Sequence, residues 1–594
     1  ADLNAYTGFN QTVFQLPLPT DSTEVFEKGF DILANWAGHV SFEDKEIDQE
    51  RGIIIEEDRQ RGKNAQERMS KQLLPVLLAN SRYADRLPIG KVDILQNFKY
   101  ETIKQFYHDW YRPNLQAVIA VGDFDVKKVE ELIKQNFSDL KNPENEQKRS
   151  HYGIPGNQEP LVKIVTDPEF PYVVANISWK HPETIEKTEA ELMDRIRTSL
   201  MNNMLNDRIT EITQKGNAPF IYALSNYSSF QGGLADLDAF NTAAVAKDAA
   251  GLKDALQAVL TENVRMQKYG FTETELMRAK TNLMTSAEKQ FKEKDKTKSA
   301  VFVQRYLENF LKGAAIPSID YTYQFYKENL ERIDLESINQ LAKTMVTKEN
   351  MIAIIQAPEK ERSNLPSEET YLQWIETAGE NVTPYVDNVV NEPLMAKQPT
   401  AGTIISQNEA TKVGSIELKL SNGVKVILKP TTFKNDQILF SATAKGGTSL
   451  ASDADFRSAQ MADQLVDASG IANFDATQLG KLLTGKVVGV SPNISTYREG
   501  ISGSSSPKDL ETAMQLIYLY FTAPRIDDAV LKTQLDEMRT VLVNRSSQPN
   551  AVYGDTISAV MSGHHPRAKT ITIDQLSEIS KDKALAFYKE RFAN

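Results

Sequence analysis

A chain of 594 residues is too long for one hydrophobic core, so we expect about three or four domains. Its 80 acidic and 68 basic side chains give a formal charge of -12, which disfavours binding to nucleic acid and to anionic lipid. The chain has no cysteine, so a transition metal must be bound by imidazole and carboxylate, and no apolar run is long enough for membrane insertion.

The first clear element in the sequence is a helix over residues 46–61, which contain no proline. At about 100° per residue, Glu50 and Glu57 share one face of this helix with Ile53. We therefore expect both carboxylates on a buried face, where they need a cation, hydrogen bonds or a metal. On spacing alone, the more ordinary interpretation is a charged surface helix in which Arg51, Arg61 or a neighbouring domain pairs with these carboxylates.

An internal repeat follows this helix. Residues 95–107 are echoed at 576–588 with their apolar positions in register, and the same apolar positions recur at 330–341. Each copy predicts a short turn and then an amphipathic helix. The first copy continues into an apolar run at 115–121 and the second into one at 351–355, and both runs are typical of buried strands.

The repeat predicts an α+β protein of repeated domains, each a mostly antiparallel β-sheet with helices packed on one face. The stretch between the second and third copies contains four prolines and no sustained helical period, which indicates a linker. The predicted bounds are 1–150 for the first unit, 155–360 for the second, 361–413 for the linker and 414–594 for the third.

The third unit opens with a hairpin at 416–428 that alternates around an Asn-Gly turn. No such hairpin precedes the first unit, and the third unit stops where a strand is expected. We therefore expect the first unit to lack its beginning and the third unit to lack its end.

The order of several segments resembles the family of inverted-motif zinc peptidases that includes pitrilysin, insulin-degrading enzyme and the mitochondrial processing peptidase. Glu50-Arg51 followed by Glu57 resembles the second signature of that family, which comes after a His-x-x-Glu-His motif. The segments 2–14, 83–90 and 106–123 are also similar to the family, and the resemblance covers nearly the whole chain apart from the linker.

This resemblance implies that Glu57 is a zinc ligand and that Glu50 is the carboxylate that supports the catalytic site. The histidine ligands and the general base are expected before Ala1, because the six histidines present include no His-x-x-Glu-His. The strand Asn4-Ala5-Tyr6 is the implied edge on which a peptide substrate adds as a further strand. An ordinary internal strand is the alternative for these three residues.

At the corresponding place in the third unit the sequence is Gln460-Met-Ala-Asp463-Gln464. Glutamines replace both histidines and an aspartate replaces the base, and amide side chains are poor zinc ligands. We therefore expect the third unit to be an inactive half with a structural role or a role in enclosing the substrate.

The resemblance implies a zinc-dependent endopeptidase or oligopeptidase that cleaves unfolded peptides, with one zinc per active unit and the linker as a hinge. With a single carboxylate ligand, the chain as given is expected to bind zinc weakly or not at all and to be inactive. The alternative is a non-catalytic peptide-binding or scaffolding subunit of a heteromeric peptidase of this family. A homodimer or heterodimer is possible, and the family favours a periplasmic or cell-envelope location.

Overall fold

The structure is a computed structural model that describes residues 4–410 and 412–593. The predicted α+β class is confirmed, because helices alternate with sheets whose strand pairs are antiparallel with one parallel exception among the described residues. No helix within these residues is both long and apolar enough to span a membrane.

The first unit combines a short antiparallel hairpin with a group of helices. Its elements are β1 Asn4–Thr7, β2 Thr12–Gln15, α1 Thr23–Gly38, α2 Asp44–Arg61, α3 Ala65–Leu77, α4 Val92–Asn97, α5 Tyr100–Trp110 and α6 Val126–Phe137. The strand predicted at 115–121 is wrong, because this run pairs with no strand in the described part of the chain. An apolar run becomes a strand only where a neighbour completes its hydrogen-bond ladder.

The second unit is built on one mixed sheet. Its elements are β3 Leu161–Asp167, β4 Val173–Pro182, α7 Glu189–Gln214, β5 Phe220–Ser229, β6 Leu237–Ala246, α8 Leu252–Tyr269, α9 Glu273–Lys292, α10 Ser299–Lys312, α11 Ile319–Asn329, α12 Leu335–Lys343, β7 Met351–Pro358 and α13 Glu368–Glu376. The strand order is β3-β7-β4-β6-β5, and β3 runs parallel to β7. The strand predicted at 351–355 is confirmed as part of β7, which is buried throughout.

The two faces of this sheet are covered by different units. Helices α7 and α8 pack on one face, and α3 of the first unit packs on the other through Met69 and Leu73 against Ile352. Beside this contact, the Arg68 guanidinium donates to both oxygens of Asp167 at 2.7 and 2.6 Å. The first and second units therefore share a packed interface with a bidentate ion pair at its margin.

The linker predicted at 361–413 needs two corrections. Helix α13 lies inside it, and Tyr371 on that helix is completely buried in the hydrophobic core of the second unit, which we call the second core. Strand β8 (Ile404–Ala410) also lies inside it and pairs with the third unit. Neither element is predicted from the sequence, because four prolines interrupt this stretch. In addition, the apolar residues Tyr371, Leu372 and Ile375 of α13 have helical spacing only over a short span.

The third unit contains two antiparallel sheets with helices packed against one of them. Its further elements are β9 Ser415–Leu420, β10 Lys425–Leu428, β11 Ile438–Lys445, α14 Phe456–Ala459, α15 Ala462–Ala468, α16 Ala476–Leu482, β12 Val488–Ile494, β13 Arg498–Ser505, α17 Leu510–Thr522, α18 Asp528–Arg545, α19 Pro549–Met561 and α20 Lys581–Arg591. The sheets have the orders β10-β9-β8 and β11-β13-β12. The predicted hairpin at 416–428 is confirmed as β9 and β10.

Gly447→Ala is expected to lower the free energy of unfolding of the third unit by about 2 to 4 kcal/mol. Gly447 has a φ of +72°, and a Cβ there would lie 2.2 Å from the Ser495 carbonyl oxygen. Urea unfolding followed by far-UV circular dichroism measures the loss. The control is Gly423→Ala in the hairpin turn, where φ is +92° and nothing lies within 4 Å, so about 1 kcal/mol is expected. Equal losses in the two variants would contradict the steric argument.

Candidate active-site helix

Helix α2 carries both candidate carboxylates, and its predicted position is confirmed. Asp44 and Glu46 lie in its first turn, and Arg59 and Arg61 lie in its last turn. Acidic residues at the amino end and basic residues at the carboxyl end both interact favourably with the helix dipole. The charges at its two ends therefore stabilise this helix without help from a large apolar face.

Arg51, which follows Glu50 in the sequence, attaches α2 to the first copy of the repeat. Its side chain is 13% exposed and donates to the carbonyl oxygens of Leu95 at 2.5 Å and Phe98 at 2.6 Å. The guanidinium carbon lies 3.7 Å from the centre of the Phe98 ring, a cation–π contact. Arg51 thus has a structural role, which the sequence analysis did not predict because its partners are backbone carbonyls.

Glu50 and Glu57 both lie on the exposed side of α2. Ile47 is the buried residue of this helix, whereas Ile53, on the face of the carboxylates, is 59% exposed. The predicted burial of the two carboxylates is therefore wrong. The physical reason is that α2 is attached through polar contacts of Arg51 and of its aspartates, so the apolar run does not have to be buried.

The surroundings of the two carboxylates differ. The Glu57 side chain is 46% exposed, and its Oε1 accepts a hydrogen bond from Arg61 Nη2 at 2.5 Å. This pair is the ordinary interpretation that spacing alone allowed. The Glu50 side chain has no hydrogen bond or ion pair to any residue that the structure describes. Both carboxylates are thus accessible to a partner from solvent.

The residues that the structure describes do not form a zinc site. Within residues 4–410 and 412–593, no three histidine, aspartate or glutamate side chains lie close enough to bind one metal ion. The histidines have other contacts: His181 Nε2 lies 2.9 Å from the Met345 carbonyl oxygen, and His39 Nε2 lies 3.3 Å from Asp139. Glu57 would supply one ligand where a catalytic zinc takes three from protein.

The predicted substrate edge, Asn4-Ala5-Tyr6, is strand β1. Ala5 pairs with Phe14 and Tyr6 pairs with Val13 in the hairpin with β2. All residues of β1 are exposed, and in the described chain its other edge faces no strand. The structure thus gives β1 the free backbone groups that strand addition requires. Asp2 and Leu3, which the family resemblance also included, lie outside the described residues.

The third unit has a buried aspartate at the place of the expected base. Asp463 on α15 accepts the backbone N–H of Ile494 on β12 at 2.8 Å, whereas Gln460 and Gln464 are exposed. Burial raises the pKa of Asp463, and the hydrogen bonds from backbone N–H groups act in the opposite direction. Asp463 therefore connects a helix to a strand. This bond cannot be predicted from the sequence, because its two ends lie in different elements.

Helix α18 of the third unit corresponds to α2 in the register of the repeat. In that register Leu531 and Met538 occupy the positions of Glu50 and Glu57. Both side chains pack against the hydrophobic core of the third unit, which we call the third core. Helix α15 lies directly against α18. The third unit thus covers with apolar contacts the same helix face that carries exposed carboxylates in the first unit.

Comparison with known proteins agrees with this repeated architecture. The family model for insulinase, peptidase family M16, matches residues 1–87, and the model for the peptidase M16 inactive domain matches residues 97–283. The Arabidopsis thaliana protein named zinc protease PQQL-like is 26% identical over 99% of this chain and 56% of its own length.

The chain is similar to peptidase family M16 over these two matched regions. The Escherichia coli protein named probable zinc protease PqqL is 25% identical over the whole chain and 63% of its own length. The chain thus spans only about 56 to 63% of the curated relatives that match it along its full length.

Two solved structures share the fold of this chain. The crystal structure of the periplasmic protease PqqL from Escherichia coli has a TM-score of 0.61 and 23% identity, with 100% of this chain and 65% of that chain covered. A mutant of the ferredoxin protease FusC in complex with Arabidopsis ferredoxin has a TM-score of 0.67 and 20% identity, with 99% and 65% covered. At these identities the likeness establishes the fold.

Proposed function

We propose that this chain is part of a zinc-dependent endopeptidase that cleaves unfolded peptides, with Glu57 as one zinc ligand and Glu50 as the supporting carboxylate. The observation that carries the proposal is the pair of exposed carboxylates on one face of α2, a helix that Arg51 holds in position. Relatives named zinc proteases along the whole chain support the same chemistry.

The third unit supports this assignment by contrast. There Leu531 and Met538 of α18 pack against the hydrophobic core of the third unit, to which α15 also contributes. A helix that packed on α2 in the same way would meet Glu50 and Glu57 instead. Because the described residues complete no metal site, the remaining ligands have to come from outside them, from another part of the protein or from a partner chain.

We further propose that substrates add as a strand along β1, at Asn4, Ala5 and Tyr6. Strand addition recognises backbone more than side chains, so it selects extended and unfolded polypeptides. The exposed β1 residues and the free edge support this proposal. The fold neighbour solved with bound ferredoxin agrees with a polypeptide substrate. A periplasmic or cell-envelope location is proposed from the description of the Escherichia coli PqqL structure.

The test compares the 594-residue chain with a form extended by the flanking residues of its own coding sequence. Zinc is measured by atomic emission, and cleavage of an unfolded peptide is measured with and without a chelator. We expect the 594-residue form to bind no stoichiometric zinc and to be inactive, and the extended form to bind about one zinc per chain. Chelator-sensitive cleavage by the 594-residue form would contradict the proposal.

In the extended form, Glu57→Gln is expected to lower zinc affinity by at least about 100-fold, because an amide is a poor zinc ligand. The matched control is Glu56→Gln. Glu56 is the neighbouring exposed carboxylate, which pairs with Arg59 at 2.6 Å on another face of α2. We expect it to leave zinc binding unchanged. Full zinc retention by the Glu57 variant would exclude Glu57 as a ligand.

The second candidate function is a non-catalytic peptide-binding or scaffolding subunit of a heteromeric M16 peptidase. It is favoured by the Glu57–Arg61 pair and by the lack of a metal-binding group among the described residues. An extended form that binds an unfolded peptide but no zinc would support this candidate against the first.

A further inference from the structure

Residues 379–395, which we call the strap, run from the second core to the third core. At its start, a Cβ on Gly379 would lie 2.8 Å from Val264 Cβ of α8, so the backbone lies very close to that helix. At its end, Leu394 and Met395 pack against the third core. The strap is therefore the direct covalent connection between two packed units.

Helix α8 binds the first part of the strap through backbone carbonyls. Arg265 Nε donates to the Thr383 carbonyl at 2.8 Å, and the Tyr269 hydroxyl donates to the Val382 carbonyl at 3.2 Å. Val382 itself is buried. The strap is therefore attached to the second unit beyond the end of α13.

The middle of the strap enters a group of ion pairs. We call this group the Asp387 cluster; it consists of Glu211 on α7, Arg278 on α9, Tyr385 and Asp387 on the strap, and Lys481 on α16. Asp387 Oδ2 lies 2.7 Å from Arg278 Nη1, and Asp387 Oδ1 lies 2.9 Å from Lys481 Nζ. Asp387 thus contacts a cation of the second unit and a cation of the third unit with its two oxygens.

A second carboxylate closes the cluster. Glu211 Oε1 lies 2.7 Å from Lys481 Nζ and accepts the Tyr385 hydroxyl hydrogen at 2.8 Å. Two carboxylates thus face two cations, and a third carboxylate, Asp207 of α7, whose pKa burial raises to about 6, lies close enough to interact with Arg278, Lys481 and Glu211. A substitution that removes one partner therefore leaves a charge without its counter-charge.

The cluster is shielded from solvent. The Asp387 side chain is 5% exposed, and the Arg278 and Lys481 side chains are each 12% exposed. Burial acts to raise the pKa of Asp387, but hydrogen bonds from Arg278, Thr274 and Lys481 outweigh it and lower this pKa to about 2. Ion pairs with this geometry interact more strongly than exposed surface pairs.

We propose that the Asp387 cluster is an electrostatic latch that fixes the strap and the third unit against α7 and α9 of the second unit. In this proposal, ion pairs fix the linker against the second and third units, whereas the sequence predicted a free hinge. A neighbouring contact agrees with a docked arrangement: the Gly485 N–H, close to Lys481, donates to Asn282 Oδ1 of α9 at 2.9 Å. The latch does not depend on the proposed peptidase activity.

The test measures the distance between the two units by spin labelling. The chain contains no cysteine, so labels on Val301→Cys in α10 and Tyr497→Cys in the third unit report on this one distance. We expect a narrow distribution in the parent chain and one at least about twofold broader in Asp387→Asn. Proteolysis within the strap is expected to be about tenfold faster in that variant.

The matched control is Asp555→Asn. The pKa of Asp555 is also lowered to about 2 by an arginine and a threonine, but those partners, Arg545 and Thr570, lie within the third unit. This control is expected to leave both the distance distribution and the proteolysis rate unchanged. Equal broadening in the control would assign the effect to general destabilisation and would overturn the latch.

A second variant covers the case in which Asp387→Asn does not fold. Lys481→Met removes the third-unit cation and leaves Arg278 paired with Asp387, so folding of the second unit is preserved. It is expected to broaden the distance distribution in the same way. An unchanged distribution in Lys481→Met, with native circular dichroism, overturns the proposal. This experiment measures neither zinc content nor peptidase activity. A failure of the latch proposal would therefore leave the proposed peptidase function untouched, and the reverse also holds.

Discussion

Glu275→Gln is expected to lower the free energy of unfolding of the second unit by about 3 to 5 kcal/mol. The Glu275 and Arg208 side chains are 4% and 1% exposed, and both Glu275 oxygens accept from Arg208, at 2.6 and 2.8 Å. Glutamine fills the same volume but leaves the Arg208 charge buried without a counter-charge. It also weakens the capping box at the start of α9, in which Glu275 accepts from Thr272.

Urea unfolding followed by tryptophan fluorescence measures this loss, because Trp179 and Trp374 report on the second unit; Trp36 and Trp110 report on the first unit, and the third unit contains no tryptophan. The control is Glu273→Gln, an exposed carboxylate in the first turn of the same helix. Surface substitutions of this kind change stability by about 0.5 kcal/mol or less. A Glu275 variant as stable as the Glu273 variant would contradict the role of the pair.

Tyr371→Ala is the second substitution with a large expected effect, about 3 to 5 kcal/mol in the stability of the second unit. Its ring is completely buried in the second core, and its hydroxyl donates to the carbonyls of Asn176 and Ile354, both at 3.3 Å. Removing the ring leaves a cavity between α13 and the sheet. The prediction therefore tests whether part of the supposed linker belongs to the second core.

The same fluorescence titration measures this effect. Tyr371→Phe keeps the ring and removes only the hydroxyl, so a loss of about 1 kcal/mol is expected. Tyr222→Ala removes an exposed ring from β5 and is expected to cost less than about 1 kcal/mol. If Tyr371→Ala were no more harmful than Tyr222→Ala, residues 368–376 would not be part of the core.

Predictions that rest on short-range pattern agree with the structure. The helix around Glu50, the hairpin at Asn422-Gly423 and the strand at 351–355 each depend on residues close in sequence. The strand predicted at 115–121 is wrong because a strand needs a partner, and partners come from distant parts of the chain. The linker prediction missed α13 for a related reason, since only packing shows that Tyr371 is buried.

For the candidate site too, some features follow from local sequence pattern and others depend on tertiary contacts. Residue types and spacing single out Glu50 and Glu57 and the degenerate positions Gln460 to Gln464, and the family models agree with the family inferred from them. Their roles as zinc ligand and supporting carboxylate stay predictions. Helical periodicity could not show that α2 is attached by Arg51 to backbone carbonyls of residues 95 and 98, or that its carboxylates are therefore exposed.

The sequence by itself determined the repeated α+β architecture, the resemblance to the inverted-motif zinc peptidases and the choice of α2 as the helix of interest, because periodicity, turn residues and motif order are local properties of the chain. The tertiary structure decided which charges are buried and paired. Asp463 bonds to a strand, and Asp387 joins a helix of the second unit to one of the third. The physical reason is that burial and ion pairing depend on residues that only folding brings together.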